Sequence, residues 1–175
     1  DNAKELYAVF CEDYQISQDY KNNIESRDSG VMDSVPLVDI LSEYATTQKL
    51  KVGLPLHIGI YESDGSAKDV MNYICQSILG RDTKPSNFWH VQSLEDEVVH
   101  DAIMASAALP YLFKARAIKG KLYRDGGLGG AFEQQGNTPI QPLVENGCDY
   151  IIVSLLDDGS SVNRHRYPNT TILEV

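Results

Sequence analysis

Ala105-Ser106-Ala107-Ala108-Leu109-Pro110, then Tyr123-Arg124-Asp125-Gly126-Gly127, then Asn137-Thr138-Pro139-Ile140: these three runs decide the fold of this 175-residue chain. In the first, Val98, Val99, Ala102, Ile103 and Ala105 recur at helical spacing. The small Ala-Ser-Ala-Ala end lets such a helix lie close against a sheet before Pro110 stops it, and Phe113 closes the apolar patch. Upstream, Ser93 is expected to cap the helix, with Asp96 at the reciprocal position and the acids of Leu94-Glu95-Asp96 at the positive end of its dipole.

The second run carries an acid on a turn. Two short strands flank a Lys119-Gly120 turn, and the second delivers Asp125 to a sheet edge. Gly126 and Gly127 then permit a close backbone approach that a side chain would forbid. In the third run Asn137 or Thr138 is expected to cap a helix with Pro139 in its first turn and Asn146-Gly147 at its end. A buried-type strand from Tyr150 follows.

Working outward, the patterning predicts helices over 4–12, 37–48, 67–79, 94–108 and 140–145, and strands over 56–61, 87–91, 116–118, 122–124, 150–156 and 171–175. Helix, loop and strand alternate as in a layered α/β fold. The stretch 22–34, rich in Asn, Asp, Ser and Gly, reads as a flexible connection, followed by 84–87. Tyr7, Phe10, Ile40, Leu41 and Tyr44 fall at helical spacing and read as core rather than as a lipid-binding stripe.

Composition excludes several function classes. A net charge of -10 and a pI near 4.7 argue against nucleic acid, which requires clustered Lys and Arg, and against charge-driven adhesion to anionic lipid. With 42% hydrophobic residues the chain is long enough to bury a core, yet it has no apolar run of the roughly 18 residues that would span a bilayer. Cys11, Cys75 and Cys148 are widely spaced and odd in number, so a disulfide framework is not expected and a reducing, cytoplasmic setting is.

No metal or cofactor is expected. His57, His90, His100 and His165 lack the spacing of a metal site, and Glu62-Ser63-Asp64-Gly65 lacks the alternating ligands of a calcium loop and reads as a turn. Leu128-Gly129-Gly130 misses the glycine pattern and the Lys of a nucleotide loop, which leaves a long mobile loop over 128–136. Arg164-His165-Arg166 is a short basic triplet that reads as a solvated loop, with phosphate head-group contact as the minority reading.

Taken together, the runs resemble the patatin-like phospholipases, whose C-terminal half carries Ala-Ser-x-x-x-Pro, a Phe, an Asp-Gly-Gly or Asp-Gly-Ala turn, then Asn-x-Pro and a hydrophobic strand. Val31-Met32-Asp33-Ser34-Val35-Pro36-Leu37 and the strand over 56–61 are similar too, more loosely. The 128–136 loop is longer than the compact version in that family, which affects the shape of a substrate entrance rather than Asp125.

The resemblance implies a three-layer α/β/α sheet with helices on both faces, of which residues 1–175 form the C-terminal portion of a single catalytic domain. It implies a lipid acyl hydrolase that uses a Ser-Asp dyad without histidine, with Asp125 as the base and Gly126 and Gly127 supporting its turn. No Gly-x-Ser-x-Gly occurs in the sequence, so serine and oxyanion loop are expected on an upstream segment. The implied partner is a lipid or ester substrate, with peripheral membrane contact left open. The alternative is a catalytically silent module kept for binding.

Overall fold

The computed structural model describes residues 34–65, 68–81, 83–130, 136–155 and 162–175. The expected helix over 4–12, Tyr7, Phe10, Cys11, the connection over 22–33 and the loop tip over 131–135 lie outside the described residues, as does Leu156. Within them the architecture is mixed α/β. A four-stranded sheet is built from β1 (His57–Ser63), β2 (Asn87–His90), β3 (Arg116–Ile118) and β4 (Lys121–Asp125), in the spatial order β2-β1-β4-β3. All three pairings are antiparallel.

Helix α1 (Val35–Tyr44) and helix α2 (Thr47–Val52) precede β1, and α3 (Lys68–Ile78) links β1 to β2. The single helix expected over 37–48 is therefore two. Thr46 breaks it, because its hydroxyl accepts from the Lys49 N–H and starts α2 afresh as an N-cap does. Of the apolar set expected in the first helix, Ile40 is buried but Tyr44 is exposed, so only part of that stripe is core.

The helix at the centre of the argument, α4 (Val99–Ser106), begins five residues later than expected. Glu95 is extended and Asp96–Val98 form a 3-10 turn, so Ser93 does not cap the helix; its hydroxyl donates back to the His90 carbonyl instead. The face expected from the spacing is nonetheless the face that packs. Val99, Ala102 and Ala105 are fully buried and meet Ile58, Ile60 and Tyr123 from the sheet in one core. Alanines at this contact bring helix and sheet close, and Ala108 remains buried just beyond the helix end. The residues Ile58 and Ile60 share a face because side chains alternate along a strand, and Tyr123 joins them from the neighbouring strand.

The hairpin between β3 and β4 turns at Lys119 and Gly120, both with positive φ (49° and 80°), the combination a two-residue I′ turn requires. It sets the register that carries β4 along β1, with Tyr61 opposite Arg124 and Ile60 opposite Asp125.

A second unit follows. Helix α5 (Gln141–Glu145) leads to β5 (Tyr150–Val153), which pairs in parallel with β6 (Thr171–Glu174). Pro142, not Pro139, lies in the first turn of α5, and neither Asn137 nor Thr138 caps it; Ile140 occupies that position and makes no side-chain cap. The expected end is present, with Gly147 at φ 82° after Asn146 and the Cys148 N–H returning to the Leu143 carbonyl. Ile140, Ile151 and Ile172 form the core of this unit, while Tyr150, Ile152 and Leu173 point outward from the paired strands. No helix among the described residues is long and apolar enough to cross a membrane.

Because Ile60 is fully buried between α4 and β4, Ile60→Ala is expected to destabilise the fold by about 2–5 kcal/mol. Ile152→Ala, at a residue 71% exposed, should change stability by less than about 0.5 kcal/mol. Urea unfolding of both variants beside the parent measures the two values.

Candidate active site

Asp125 is the last residue of β4, and three constraints hold it there. Its backbone N–H donates to the Ala108 carbonyl at 3.2 Å, which ties it to the end of the α4 segment. Its pairing with Ile60 fixes it against β1. Its own carboxylate accepts from the Gly127 N–H at 2.7 Å, closing the short 3-10 turn Gly126–Leu128. The second strand was expected to deliver this acid to a sheet edge; β4 is instead an inner strand between β1 and β3, and Asp125 lies at its end, where the chain enters the turn.

The two glycines after Asp125 sit where no side chain fits. A Cβ on Gly126 would lie 2.6 Å from the Gly59 carbonyl carbon on β1, so only a hydrogen fits between the two backbones. Gly136 also packs against the turn, where any Cβ would overlap the Gly126 carbonyl. A Cβ on Gly127 would collide with the side-chain oxygen of Asn137, so the expected Asn-x-Pro run meets the Asp-Gly-Gly turn in space.

Three residues of this site were not evident in the sequence. Thr83 is buried and its hydroxyl donates to the Leu128 carbonyl at 2.7 Å, while the Ser86 hydroxyl donates to the Gly126 carbonyl. Ser86 therefore falls in a stretch that reads as a flexible connection but serves as a clamp on the turn. The third is Arg124, which is only 6% exposed and spans two loops. Its Nη1 donates to the Phe113 carbonyl and its Nη2 to the Gly65 carbonyl, both at 3.0 Å, and its Nε has no partner among the described residues. The only signal for it was a basic residue in a strand between Tyr123 and Asp125, which by itself reads as an ordinary surface position.

Electrostatically, burial pushes the Asp125 carboxyl above the ordinary carboxylate range, and the Gly127 N–H pulls back in the opposite direction by stabilising the charged form. Desolvation is the larger of the two, and no charged side chain contributes. The group is therefore a half-buried carboxylate of raised basicity, held by backbone contacts, and chemically suited to accept a proton from a neighbouring hydroxyl.

Three of the described histidines have contacts of their own. His57 and His90 stack across β1 and β2 with ring centroids 4.7 Å apart, and His100 Nε2 contacts the Ala45 carbonyl. Burial, and then the neighbouring His90, lowers the pKa of His57. Of Glu62-Ser63-Asp64-Gly65, expected as a turn, Glu62 and Ser63 instead end β1 opposite Tyr123 and Leu122; the Ser63 hydroxyl accepts from the Gly65 N–H and donates to Asp69.

The family profile described as Patatin-like phospholipase matches residues 27–141, well over half of the chain, and its matched span contains α4, the hairpin, Asp125 and the Asn-x-Pro run. The chain belongs to the patatin-like phospholipase family. That family consists of lipid acyl hydrolases acting on lipid substrates. No curated protein and no solved structure matches the chain significantly.

In this patatin-like chain the Gly126–Gly59 contact leaves no room for a methyl group, so Gly126→Ala forces β1 and β4 apart where Asp125 is held. Overpacking of this kind costs about 1–3 kcal/mol or more. Gly59→Ala, whose Cβ meets the Gly136 carbonyl oxygen at 3.0 Å and Phe88 at 3.6 Å, is expected to cost less. Thermal melts of the two variants test that order.

Proposed function

We propose that this chain is the C-terminal portion of a single patatin-like catalytic domain with a three-layer α/β/α sheet, and that it hydrolyses lipid acyl esters through a Ser-Asp dyad in which Asp125 is the base. The observation that carries this reading is the desolvated, backbone-held carboxylate of Asp125 on its close-packed glycine turn. The sequence contains no Gly-x-Ser-x-Gly, and we place the nucleophilic serine and the oxyanion loop on a segment outside these residues.

In the proposed reaction the serine Oγ attacks the ester carbonyl while its proton passes to Asp125. The tetrahedral oxyanion is met by N–H groups of the oxyanion loop. Collapse breaks the bond to the alcohol, which leaves with the proton from Asp125 and creates an acyl-enzyme. A water molecule then loses its proton to Asp125 and attacks the acyl carbonyl, and the proton returns to serine as the carboxylic acid departs. Asp125 must be deprotonated at the start of each half for it to take the proton.

A raised pKa does two things here. It improves the carboxylate as a proton acceptor for a hydroxyl, whose own acidity is far weaker. It also makes activity sensitive to mild acid: as pH falls through the raised Asp125 value the base is protonated and turnover is lost, earlier than for an exposed Asp. The widely spaced cysteines support a reducing, cytoplasmic setting, and Cys75 and Cys148 are free thiols.

The second reading, a catalytically silent binding module, draws on the absence of Gly-x-Ser-x-Gly from these residues. Asp125→Asn in the protein with its serine segment separates the two. Loss of a general base is expected to lower kcat/KM about 10²–10⁴-fold, roughly 3–5 kcal/mol of barrier, with the melting transition preserved. The parent's kcat/KM should fall on the acid side at a pH above that of an ordinary carboxylate. Retention of more than about a tenth of parental activity at equal stability contradicts the dyad, and the 175-residue chain by itself is expected to show no turnover of p-nitrophenyl esters.

A further inference from the structure

Arg124 and Asp125, neighbours on β4, hold the two ends of one loop. The Asp125 N–H donates to the Ala108 carbonyl at 3.2 Å, and the Arg124 Nη1 donates to the Phe113 carbonyl at 3.0 Å. Between those anchors the chain passes through Tyr111 at φ 66°, a left-handed conformation that a bulky residue adopts only where its surroundings impose it. The Phe113 N–H returns to the Leu109 carbonyl at 3.0 Å. The strained residue therefore sits inside a closed turn whose far end is tied down by the guanidinium.

The same guanidinium reaches a second segment. Its Nη2 donates to the Gly65 carbonyl at 3.0 Å, where Gly65 is itself left-handed at φ 80°. The Gly65 N–H donates to the Ser63 hydroxyl at 2.8 Å, and that hydroxyl donates to Asp69 in the first turn of α3. One side chain thus joins β4, the loop after α4, and the bend between β1 and α3. The planar fork of arginine makes this span possible, whereas a lysine ammonium is a point charge. The arrangement is costly. Arg124 is buried, its Nη atoms bond to carbonyls, and its Nε has no partner among the described residues. A buried cation without a carboxylate is poorly compensated, so what Arg124 contributes is the geometry it imposes.

Arg124 does not act on Asp125 by contact. Residues 124 and 125 lie opposite Tyr61 and Ile60 in register, and successive side chains leave a strand on opposite faces. No charged side chain contributes to the raised pKa of Asp125. The route from one to the other is the 108–113 loop, whose Ala108 end is buried and bonded to the Asp125 backbone.

We propose that Arg124 is a positioning residue: by pinning the Phe113 end of the 108–113 loop against the strain at Tyr111, it keeps that loop on the end of β4 and keeps water away from Asp125. The consequence for turnover rests on Asp125 acting as the base; the effect on the surroundings of its carboxylate does not.

Arg124→Lys keeps the charge and loses the fork, so a change it causes at Asp125 is one of geometry. In the intact protein the Asp125 carboxyl carbon is followed by 13C NMR as pH is varied, and its amide by hydrogen exchange. With the loop released, the Asp125 midpoint should fall toward that of an exposed aspartate, because desolvation is what raises it. The Asp125 amide should exchange about 10-fold faster or more, while amides of β5 and β6 keep their parental rates. Arg124→Met, which also removes the charge, should move the midpoint in the same direction. In the protein with its serine segment, Arg124→Lys should lower kcat about 10-fold or more and change KM less than about 2-fold, as for a base that is misplaced rather than missing.

An unchanged midpoint and exchange rate in folded Arg124→Lys overturns the proposal. So does a midpoint that rises in Arg124→Met and stays in place in Arg124→Lys, which assigns Arg124 an effect of charge alone. Failure of both variants to fold, seen as collapse of the amide spectrum, makes Arg124 a structural residue and overturns it as well. A midpoint that falls as expected while Asp125→Asn retains activity sinks the base reading and leaves the positioning of Asp125 standing.

Discussion

Everything distinctive about this chain depends on two backbones meeting without side chains between them. Gly126 lies so close to Gly59 that a methyl group would sit 2.6 Å from the Gly59 carbonyl carbon. That approach lets the chain fold directly from the end of β4 into a 3-10 turn, with the Asp125 carboxylate accepting from Gly127. Gly136 packs against the same turn, and Ser86 and Thr83 hold the turn's carbonyls. Buried backbone oxygens are costly without donors, so these hydroxyls stabilise a geometry that strand pairing alone would leave incomplete. The consequence for chemistry is an acid that is half removed from water yet fixed by its surroundings.

The same turn links the two parts of the described structure. On one side, the Asp125 N–H and the Arg124 guanidinium fasten β4 to the Ala108–Phe113 stretch that follows α4. On the other, Asn137 abuts Gly127, and the chain continues into α5 and the parallel pair of β5 and β6. Arg124 is a buried cation that relies on carbonyl oxygens, each a partial negative charge, in place of a carboxylate. Arginine tolerates such a setting better than lysine because its charge is delocalised and weakly hydrated.

Much of this was legible in the residues themselves, for physical reasons. Val99, Ala102 and Ala105 at helical spacing announced a helix packed tightly on a sheet, because small side chains in a row have few other uses. Lys119-Gly120 and Asp125-Gly126-Gly127 announced turns, because few other residues accept their backbone angles or contacts. Less legible were the helix starts. Ser93 had the chemistry of a cap, yet the extended Glu95 and the 3-10 turn at Asp96 moved the helix start to Val99. Pro139 yielded its expected role to Pro142, since either ring fits a first turn and only the register decides. Arg124, Thr83 and Ser86 were silent because their partners are carbonyls far away in sequence, and a carbonyl leaves no mark on residue type. The antiparallel pairing of the four-stranded sheet was likewise unmarked by alternation or by length.

The central claim is that burial, opposed by one N–H, makes Asp125 a more basic carboxylate than an exposed aspartate. The most direct test is its own titration, read from the 13C chemical shift of its side-chain carboxyl carbon as pH is varied, assigned by its loss in Asp125→Asn. The account predicts a midpoint above that of an ordinary, exposed aspartate. A midpoint at or below that of the exposed residues would show that the Gly127 hydrogen bond outweighs desolvation, and would contradict it.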